Sequence, residues 1–481
     1  MALSDEQIVA QNPWWSELGW TDSDRQLARL ARQPVRLPTE IVGAIDLTTP
    51  GVHVLRGPRQ VGKTTDLKLL VQRSLEEGRD PRSVVYLTLD LIEDQPHAQL
   101  ARTVTRAKAL AHHSGPSVVL LDEVTGVPRW QTAVKALWDD GTIDRDVVVC
   151  TGSSAVDLQR GAAERLPGRR GAGRDHLVLP QTFAAFARAI DADIPASPRL
   201  TIAELLTPDG EAVLLDSRVH GPELSDALAL YLKFGGLPAA VAEAASGALD
   251  PSEDVKRVLY DSLVKEVQRR GASVPAAHAL LERVLRSLGS HTDWSKMARE
   301  MDVPLGSGRG PVSHHTLRDY IELLAGGYLL FILYFWRAGS HTNSLSNEKK
   351  VFFADPLLHT ISLDHAPGLT FNVPALVENV IGLALYRRYE SPERLIESFV
   401  SPERLHAWRT TRAGEIDFVA GPRNALDVVE VKYRNHIDLR GASGVAKAHP
   451  GRAAVIATRN ELRFTEDYAL VPAYALLWAL G

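Results

Sequence analysis

The sequence predicts an α/β fold with a parallel sheet, a helical extension, a winged-helix-like middle and a second α/β domain. Three observations lead there. Apolar runs at Val52–Leu55, Val84–Leu87, Val118–Leu121 and Val147–Cys150 alternate with stretches of helical spacing, as in parallel strands covered on both faces. From about Phe183 to Gly271 the spacing is helical, with Pro195-Ala196-Ser197-Pro198 and Gly235-Gly236-Leu237-Pro238 as breaks. After Gly414, polar and apolar residues alternate with the period of a strand. A chain of 481 residues exceeds one core and suggests about three domains. The pattern divides it into an N-terminal helical segment (1–48), a sheet domain (49–190), a helical extension (191–276), a winged-helix-like domain (277–345) and a C-terminal α/β domain (346–481).

In the first segment Leu27, Leu30 and Ala31, then Ile41, Ala44 and Ile45, read as one or two helices that feed the first strand. That strand runs into Arg56-Gly57-Pro58-Arg59-Gln60-Val61-Gly62-Lys63-Thr64-Thr65. Gly57, Gly62, Lys63 and Thr64 satisfy the G-x-x-x-x-G-K-[ST] spacing of a phosphate-binding loop. The spacing has a chemical reason: glycines let consecutive backbone N–H groups turn towards a phosphate, and a helix N-terminus adds its positive dipole end. Lys63 is expected to reach the β- and γ-phosphates, and the Thr64 hydroxyl to hold Mg²⁺. A plain Gly-Lys turn at a helix start is the alternative; the place between a strand and a helix favours a nucleotide.

Leu67, Leu70, Val71 and Leu75 continue as a helix that Gly78 stops. Ser83–Asp90 reads as a second strand, His97 to about His113 as a helix, and Val118–Glu123 as a third strand. The third strand ends in Asp122-Glu123. Alone, such a pair is a solvated strand end or a helix cap; about sixty residues after Lys63 in an α/β pattern it reads as catalytic. Asp122 is expected to hold the Mg²⁺ hydration shell, and Glu123 to orient and deprotonate the attacking water. A helix from Trp130 to Asp139 precedes a fourth strand, Val147–Ser154. Polar residues at the carboxyl end of such a strand lie at the ligand edge, so Ser153 or Ser154 is a candidate γ-phosphate sensor, with a helix cap as the alternative. In the basic stretch Arg165–Gly171, Arg169 is a candidate for stabilising transition-state charge, against the ordinary reading of a solvated arginine.

Gly57 to Thr65, Leu120-Leu121-Asp122-Glu123 followed by Trp130, Thr151-Gly152-Ser153-Ser154 and Gly168-Arg169 together resemble one large prokaryotic family. Its members are AAA-like ATPases joined to a poorly characterised C-terminal domain. The resemblance continues through Tyr231-Leu232-Lys233-Phe234-Gly235-Gly236-Leu237-Pro238 and Lys349-Lys350-Val351-Phe352-Phe353-Ala354-Asp355-Pro356, and covers most of residues 40–460. It implies an additional-strand P-loop NTPase fold, Mg-ATP hydrolysis and ATP as the nucleotide. It implies no particular physiological role.

Bulk properties exclude some classes. An apolar fraction of 45% with 23% charged residues is ordinary for a globular protein. A net charge of −5 gives no global pull towards nucleic acid, so any such binding needs a local patch. Cys150, the single cysteine, excludes an internal disulfide framework and fits a reducing compartment. The apolar run Tyr328 to Trp336 falls far short of the ~20 residues of a membrane helix, and Asn12-Pro13-Trp14-Trp15 is unlike a secretion signal. The expected location is the cytoplasm, without a membrane partner.

In the middle, Leu280, Val284 and Leu288 suggest one helix and Trp294 to Met301 a second. Ser313 then caps a third, and the apolar run to Trp336 supplies strands of a wing. A helix-turn-helix invites a DNA reading, yet Arg318 is the one permanent cation of the third helix and Asp319 and Glu322 offset it. Domain docking is the favoured role.

Near the end, Glu415 and Asp417 share one face of a strand, and Glu430 and Lys432 one face of the next. A turn with Gly421, Pro422 and Asn424 makes a hairpin that gathers Asp417, Glu430 and Lys432. This Asp…Glu-x-Lys arrangement, with Glu378 on an upstream helix, resembles the core of the PD-(D/E)XK nuclease superfamily. The resemblance implies Asp417 and Glu430 as Mg²⁺ ligands, Lys432 as the catalytic lysine and Glu378 as an accessory carboxylate. A cross-strand salt-bridge cluster is the alternative. Arg409, Arg412, Arg434 and Arg440 flank the site as candidate phosphate contacts.

The expected function is Mg²⁺-dependent ATP binding and hydrolysis that controls a C-terminal nuclease-like, DNA-acting module. The alternative is a nucleotide-dependent switch or scaffold whose inactive nuclease fold docks a partner. ATP, with DNA or another protein, makes up the expected partners, and oligomerisation is open.

Overall fold

The computed structural model describes residues 3–17, 19–37, 40–92, 95–152, 171–269, 271–305, 311–336, 348–390, 401–410, 414–422, 425–434 and 453–481. The chain forms two compact units, Met1–Leu179 and Pro180–Gly481. Among the described residues no helix is long and apolar enough to cross a membrane.

The first unit is a sheet of five parallel strands: β1 (Gly51–Arg56), β2 (Val84–Thr88), β3 (Val118–Asp122), β4 (Val147–Gly152) and β5 (Asp175–Leu177). Their spatial order is β2-β3-β4-β1-β5. The strand β4 is thus inserted between β1, which carries the phosphate loop, and β3, which carries Asp122. This is the additional-strand arrangement that the resemblance implies. β1 to β4 are buried almost throughout, which is why they read as continuous apolar runs.

β2 is an edge strand, and its open hydrogen-bonding side is closed by side chains of the N-terminal segment. The Asn12 amide donates to the Tyr86 carbonyl (2.9 Å) and accepts from the Tyr86 N–H (2.7 Å). Both the Trp14 and Trp15 indoles donate to the Val84 carbonyl at 2.9 Å, and Thr88 N–H donates to Gln11 Oε1 at 2.8 Å. An edge left open would be a template for pairing with another chain. Residues 1–48, read from sequence as a helical segment, therefore also finish the sheet.

Among the described residues the second unit contains eight further strands: β6 (Leu330–Trp336), β7 (Lys349–Phe353), β8 (Leu405–Thr410), β9 (Gly414–Ala420), β10 (Asp427–Lys432), β11 (Ala454–Thr458), β12 (Arg463–Phe464) and β13 (Ala469–Pro472). They form one mixed sheet in the order β12-β13-β11-β10-β9-β8-β6-β7. The helices Val274–Ser287, Trp294–Arg299 and His314–Gly326 lie where the winged-helix reading puts them, with the Ser313 hydroxyl capping the third. The strands that follow do not stand apart as a wing. β6 pairs antiparallel with β7 and parallel with β8, so both join the C-terminal sheet. The physical reason is in the residues: Leu330 to Phe335 are all buried, and a strand apolar on both faces needs cover on both faces.

Two motifs of the family resemblance meet here. Gly235 has φ +66°, and a Cβ on it would lie 1.9 Å from Asp355 Oδ1. Asp355 caps the helix Pro356–Asp364 through Oδ1, which accepts from Leu357 N–H at 2.9 Å, while Oδ2 accepts from Gly236 N–H at 2.8 Å. Asp355→Asn would replace one acceptor by a donor facing a backbone N–H. It is expected to cost about 1–3 kcal/mol, read as a lower urea midpoint at unchanged slope. Burial, opposed by these two N–H groups, pushes the Asp355 carboxyl from 3.8 up to about 6. The folded chain keeps this proton where the unfolded chain has lost it. That contribution is full below 3.8 and is lost as pH rises through about 6; the Asn variant should lack it in pH-dependent urea melts.

Candidate functional site

The loop after β1 is shaped by close approach and by left-handed backbone. A Cβ at Gly57 would stand 2.0 Å from the Val178 carbonyl oxygen, so only glycine fits beside the end of β5. Gln60 and Gly62 take φ of +65° and +106°, turning the loop into the helix Lys63–Glu76. Pro58, Val61 and Lys63 are buried, Arg59, Thr64 and Thr65 half-buried, and Gln60 exposed. The Lys63 ammonium donates to the carbonyls of Gly57 (3.0 Å) and Pro58 (2.8 Å). Burial pulls it down to about 8, against the opposing pull of Glu123 and Asp122. Asp66, one turn further on, is pushed up to about 7 by burial, which Lys63 partly offsets.

Asp122 is the point of convergence. Its Oδ2 accepts from Thr64 Oγ1 at 2.8 Å and from the Tyr86 hydroxyl at 3.0 Å, and its Oδ1 accepts from Thr151 Oγ1 at 2.5 Å. Thr151 also accepts from Glu123 N–H at 2.9 Å. Glu123 sits at φ +55°, a left-handed conformation for a non-glycine residue directly after a strand. Burial raises its carboxyl, with Lys63 acting the other way. A hydroxyl and a carboxylate oxygen in contact are the hard ligands that Mg²⁺ takes, so Thr64 and Asp122 fit that ion. Tyr86 is itself supported: the Lys68 ammonium lies 3.7 Å from its ring centroid and 3.3 Å from Asp24.

Sequence reasoning names Lys63, Thr64, Asp122 and Glu123, and the structure brings them together. Ser153, Ser154 and Arg169 lie outside the described residues. Thr151 and Tyr86 were missed. Thr151 carried the same signal as Ser153, a polar residue at the carboxyl end of a strand, two positions earlier. Tyr86 lies inside a strand and carried none.

The second cluster lies in the C-terminal sheet. Asp417 N–H donates to Glu430 Oε2 at 3.2 Å, and Lys432 pairs with Glu430 Oε1. Asp417, Glu430 and Lys432 are thus adjacent. A further residue stands among them: Lys350 donates to Glu378 Oε1 (2.8 Å) and Asp417 Oδ1 (2.9 Å) and is ion-paired with Glu415 Oε1 at 2.9 Å. Burial pushes its ammonium down, and Asp417, Glu378 and Glu415 more than reverse this. Burial and the neighbouring Asp417 raise the carboxyls of both Glu378 and Glu430. Among the described residues no group of three or more His, Cys, Asp or Glu side chains is arranged to hold a metal ion. The signal for Lys350 was a pair of lysines inside the otherwise apolar strand Lys349–Phe353. Of the flanking arginines, Arg409 pairs with Glu348 at 2.6 Å, and Arg412 and Arg440 are outside the described residues. In the third helix of the middle segment, Arg318 is tied to Glu322 at 2.6 Å.

Residues 49–187 match the family model described as AAA domain, and residues 225–364 and 374–476 match models described as domains of unknown function (DUF8612 and DUF4143). An uncharacterised protein of Haemophilus influenzae is 24% identical over 443 residues, 90% of this chain and 95% of its own. Similar solved structures include the Aeropyrum pernix ORC1 protein in complex with DNA, at 14% identity over 74% of this chain and 97% of that one, with a TM-score of 0.29. The Aeropyrum pernix ORC2 protein in ADPNP-ADP complexes is 12% identical over 71% and 97%, with a TM-score of 0.36. The first unit carries an AAA-type P-loop domain.

Tyr86→Phe removes one of the three hydroxyls on Asp122 and keeps the ring beside Lys68. Loss of about 1 kcal/mol of orientation should raise the Mg²⁺ concentration for half-maximal binding of a fluorescent ATP analogue roughly fivefold, with little change in melting temperature.

Proposed function

We propose that the protein is a Mg²⁺-dependent ATPase whose first unit acts as a nucleotide-driven switch for the second. The convergence of Thr64, Asp122, Glu123 and Thr151 beside the Lys63 loop carries this reading. On nucleotide binding Lys63 exchanges two carbonyl partners for the β- and γ-phosphate oxygens. Thr64 and Asp122 would hold Mg²⁺, which would supply charge neutralisation at those oxygens. Glu123 takes the proton of the attacking water; burial strengthens it as a base, because a carboxyl with a raised pKa lies nearer the working pH. Thr151 fixes the start of the Glu123 backbone. Arg169 and Ser153 are proposed to contact the γ-phosphate.

For the second unit we favour docking of a partner over cleavage of nucleic acid. The observation that favours it is Lys350, whose ammonium already pairs with Glu378, Glu415 and Asp417. The pairing of Arg318 with Glu322 likewise speaks for a docking helix rather than one that reads DNA.

Lys63→Ala should abolish steady-state ATP hydrolysis and weaken nucleotide binding. Glu123→Gln should bind ATP as the unaltered chain does and turn it over at least ~10²-fold more slowly. Hydrolysis that survives Lys63→Ala would sink the ATPase reading. Nicking of DNA or RNA with Mg²⁺ or Mn²⁺ that disappears in Lys432→Ala would sink the docking reading.

A further inference from the structure

Successive residues of a strand face opposite sides of the sheet. β7 therefore sends its two adjacent lysines apart. Lys349 points its ammonium at the Trp294 ring, 4.2 Å from the centroid. Lys350 enters the acidic cluster with a side chain only 1% exposed. Its three carboxylate partners lie on β9 and on the helix Val373–Tyr389; the ammonium donates hydrogen bonds to Glu378 and Asp417 and is ion-paired with Glu415. Their 2.8–2.9 Å lengths are those of charge-assisted bonds.

Oxygens of Asp417, Glu430 and Glu415 have further partners. Asp417 Oδ2 accepts from Val431 N–H at 2.9 Å, and Glu430 is shared between Asp417 N–H and Lys432. Glu415 Oε2 faces His291 Nδ1 at 3.1 Å and Arg409 at 3.4 Å. A divalent ion binding here would have to strip these oxygens from fixed donors and displace a buried ammonium. The backbone of Lys350 is held in register opposite Leu333 of β6, so the strand cannot carry the ammonium away without breaking that pairing. The nuclease resemblance calls for Mg²⁺ on Asp417 and Glu430, and the cluster does not fit that ion.

We infer that Lys350 is the permanent cation of this cluster, standing where a nuclease-like fold would carry its metal. The carboxylates then serve as a clamp joining β7, β9 and the helix Val373–Tyr389, and they bind no divalent ion while Lys350 is present. Removing the lysine leaves carboxylates uncompensated in a buried site, which either costs stability or recruits a cation.

The test is Mn²⁺ titration of the full chain, followed by electron paramagnetic resonance, in an Asp122→Asn background that silences the nucleotide-linked ion site. With Lys350 intact, a further Asp417→Asn change should leave Mn²⁺ binding unaltered. Lys350→Ala should create one new Mn²⁺ site, at least about tenfold tighter than any background binding, and Asp417→Asn should remove it. Mn²⁺ should also raise the melting temperature of the Lys350→Ala chain, or restore its folded circular dichroism spectrum if it is unfolded without metal. Lys350→Met, which keeps the volume and loses the charge, should gain no site. A Lys350-containing chain that binds Mn²⁺ and loses it on Asp417→Asn would overturn the inference. So would a folded Lys350→Ala chain that binds none. Neither result depends on ATP turnover, so failure of the ATPase reading would be seen separately.

Discussion

The first unit is organised by a buried carboxylate that needs donors. Asp122 is 3% exposed, and an ionised carboxylate so placed is costly unless its oxygens are hydrogen-bonded. Its three hydroxyl partners come from three places in the chain. Thr64 comes from the loop helix, Tyr86 from β2 and Thr151 from β4. The insertion of β4 between β1 and β3 is what brings Thr151 within reach. The N-terminal segment closes the edge of β2 and contributes Asp24 to Lys68, which lies against the Tyr86 ring. Sheet order, edge closure and site geometry are thus one constraint met by several elements.

The acidic cluster of the second unit meets the same problem by different means. Hydroxyls satisfy Asp122 without neutralising it, so its negative charge remains available to a cation. An ammonium pairs with Glu378, Glu415 and Asp417 and offsets part of their charge as it does so. Two clusters that look alike as strings of acidic residues therefore differ in whether a cation of the chain already stands among them. The nature of the donor, more than the number of carboxylates, separates them.

This also explains what could be read from the sequence. The phosphate loop and Asp122-Glu123 were legible because their geometry is local: glycines set a turn, and a strand end sets the position of the next two side chains. The adjacency of Asp417, Glu430 and Lys432 was legible because strand alternation and a short turn determine it. Lys350, Tyr86 and the Asn12 clamp were not, since each acts on residues of another element brought near only by folding. The joining of β6 and β7 to the C-terminal sheet was hidden for a related reason. A run such as Leu330–Phe335 says that both faces are covered but does not name the neighbours.

The electrostatics of the phosphate loop complete the contrast between the clusters. Lys63 is desolvated, rests on two neutral carbonyls and is pulled down to about 8. Nearby, burial raises Asp66 to about 7 and raises Glu123 as well. Lys63 rests on carbonyls, unlike Lys350, whose ammonium is paired with carboxylates. An ammonium held by carbonyls loses little by exchanging them for phosphate oxygens, which carry the charge it lacks. An ammonium held by three carboxylates has no such exchange open to it. On the proposed reading the first cluster receives an anion with its metal, whereas the second already holds a cation of its own.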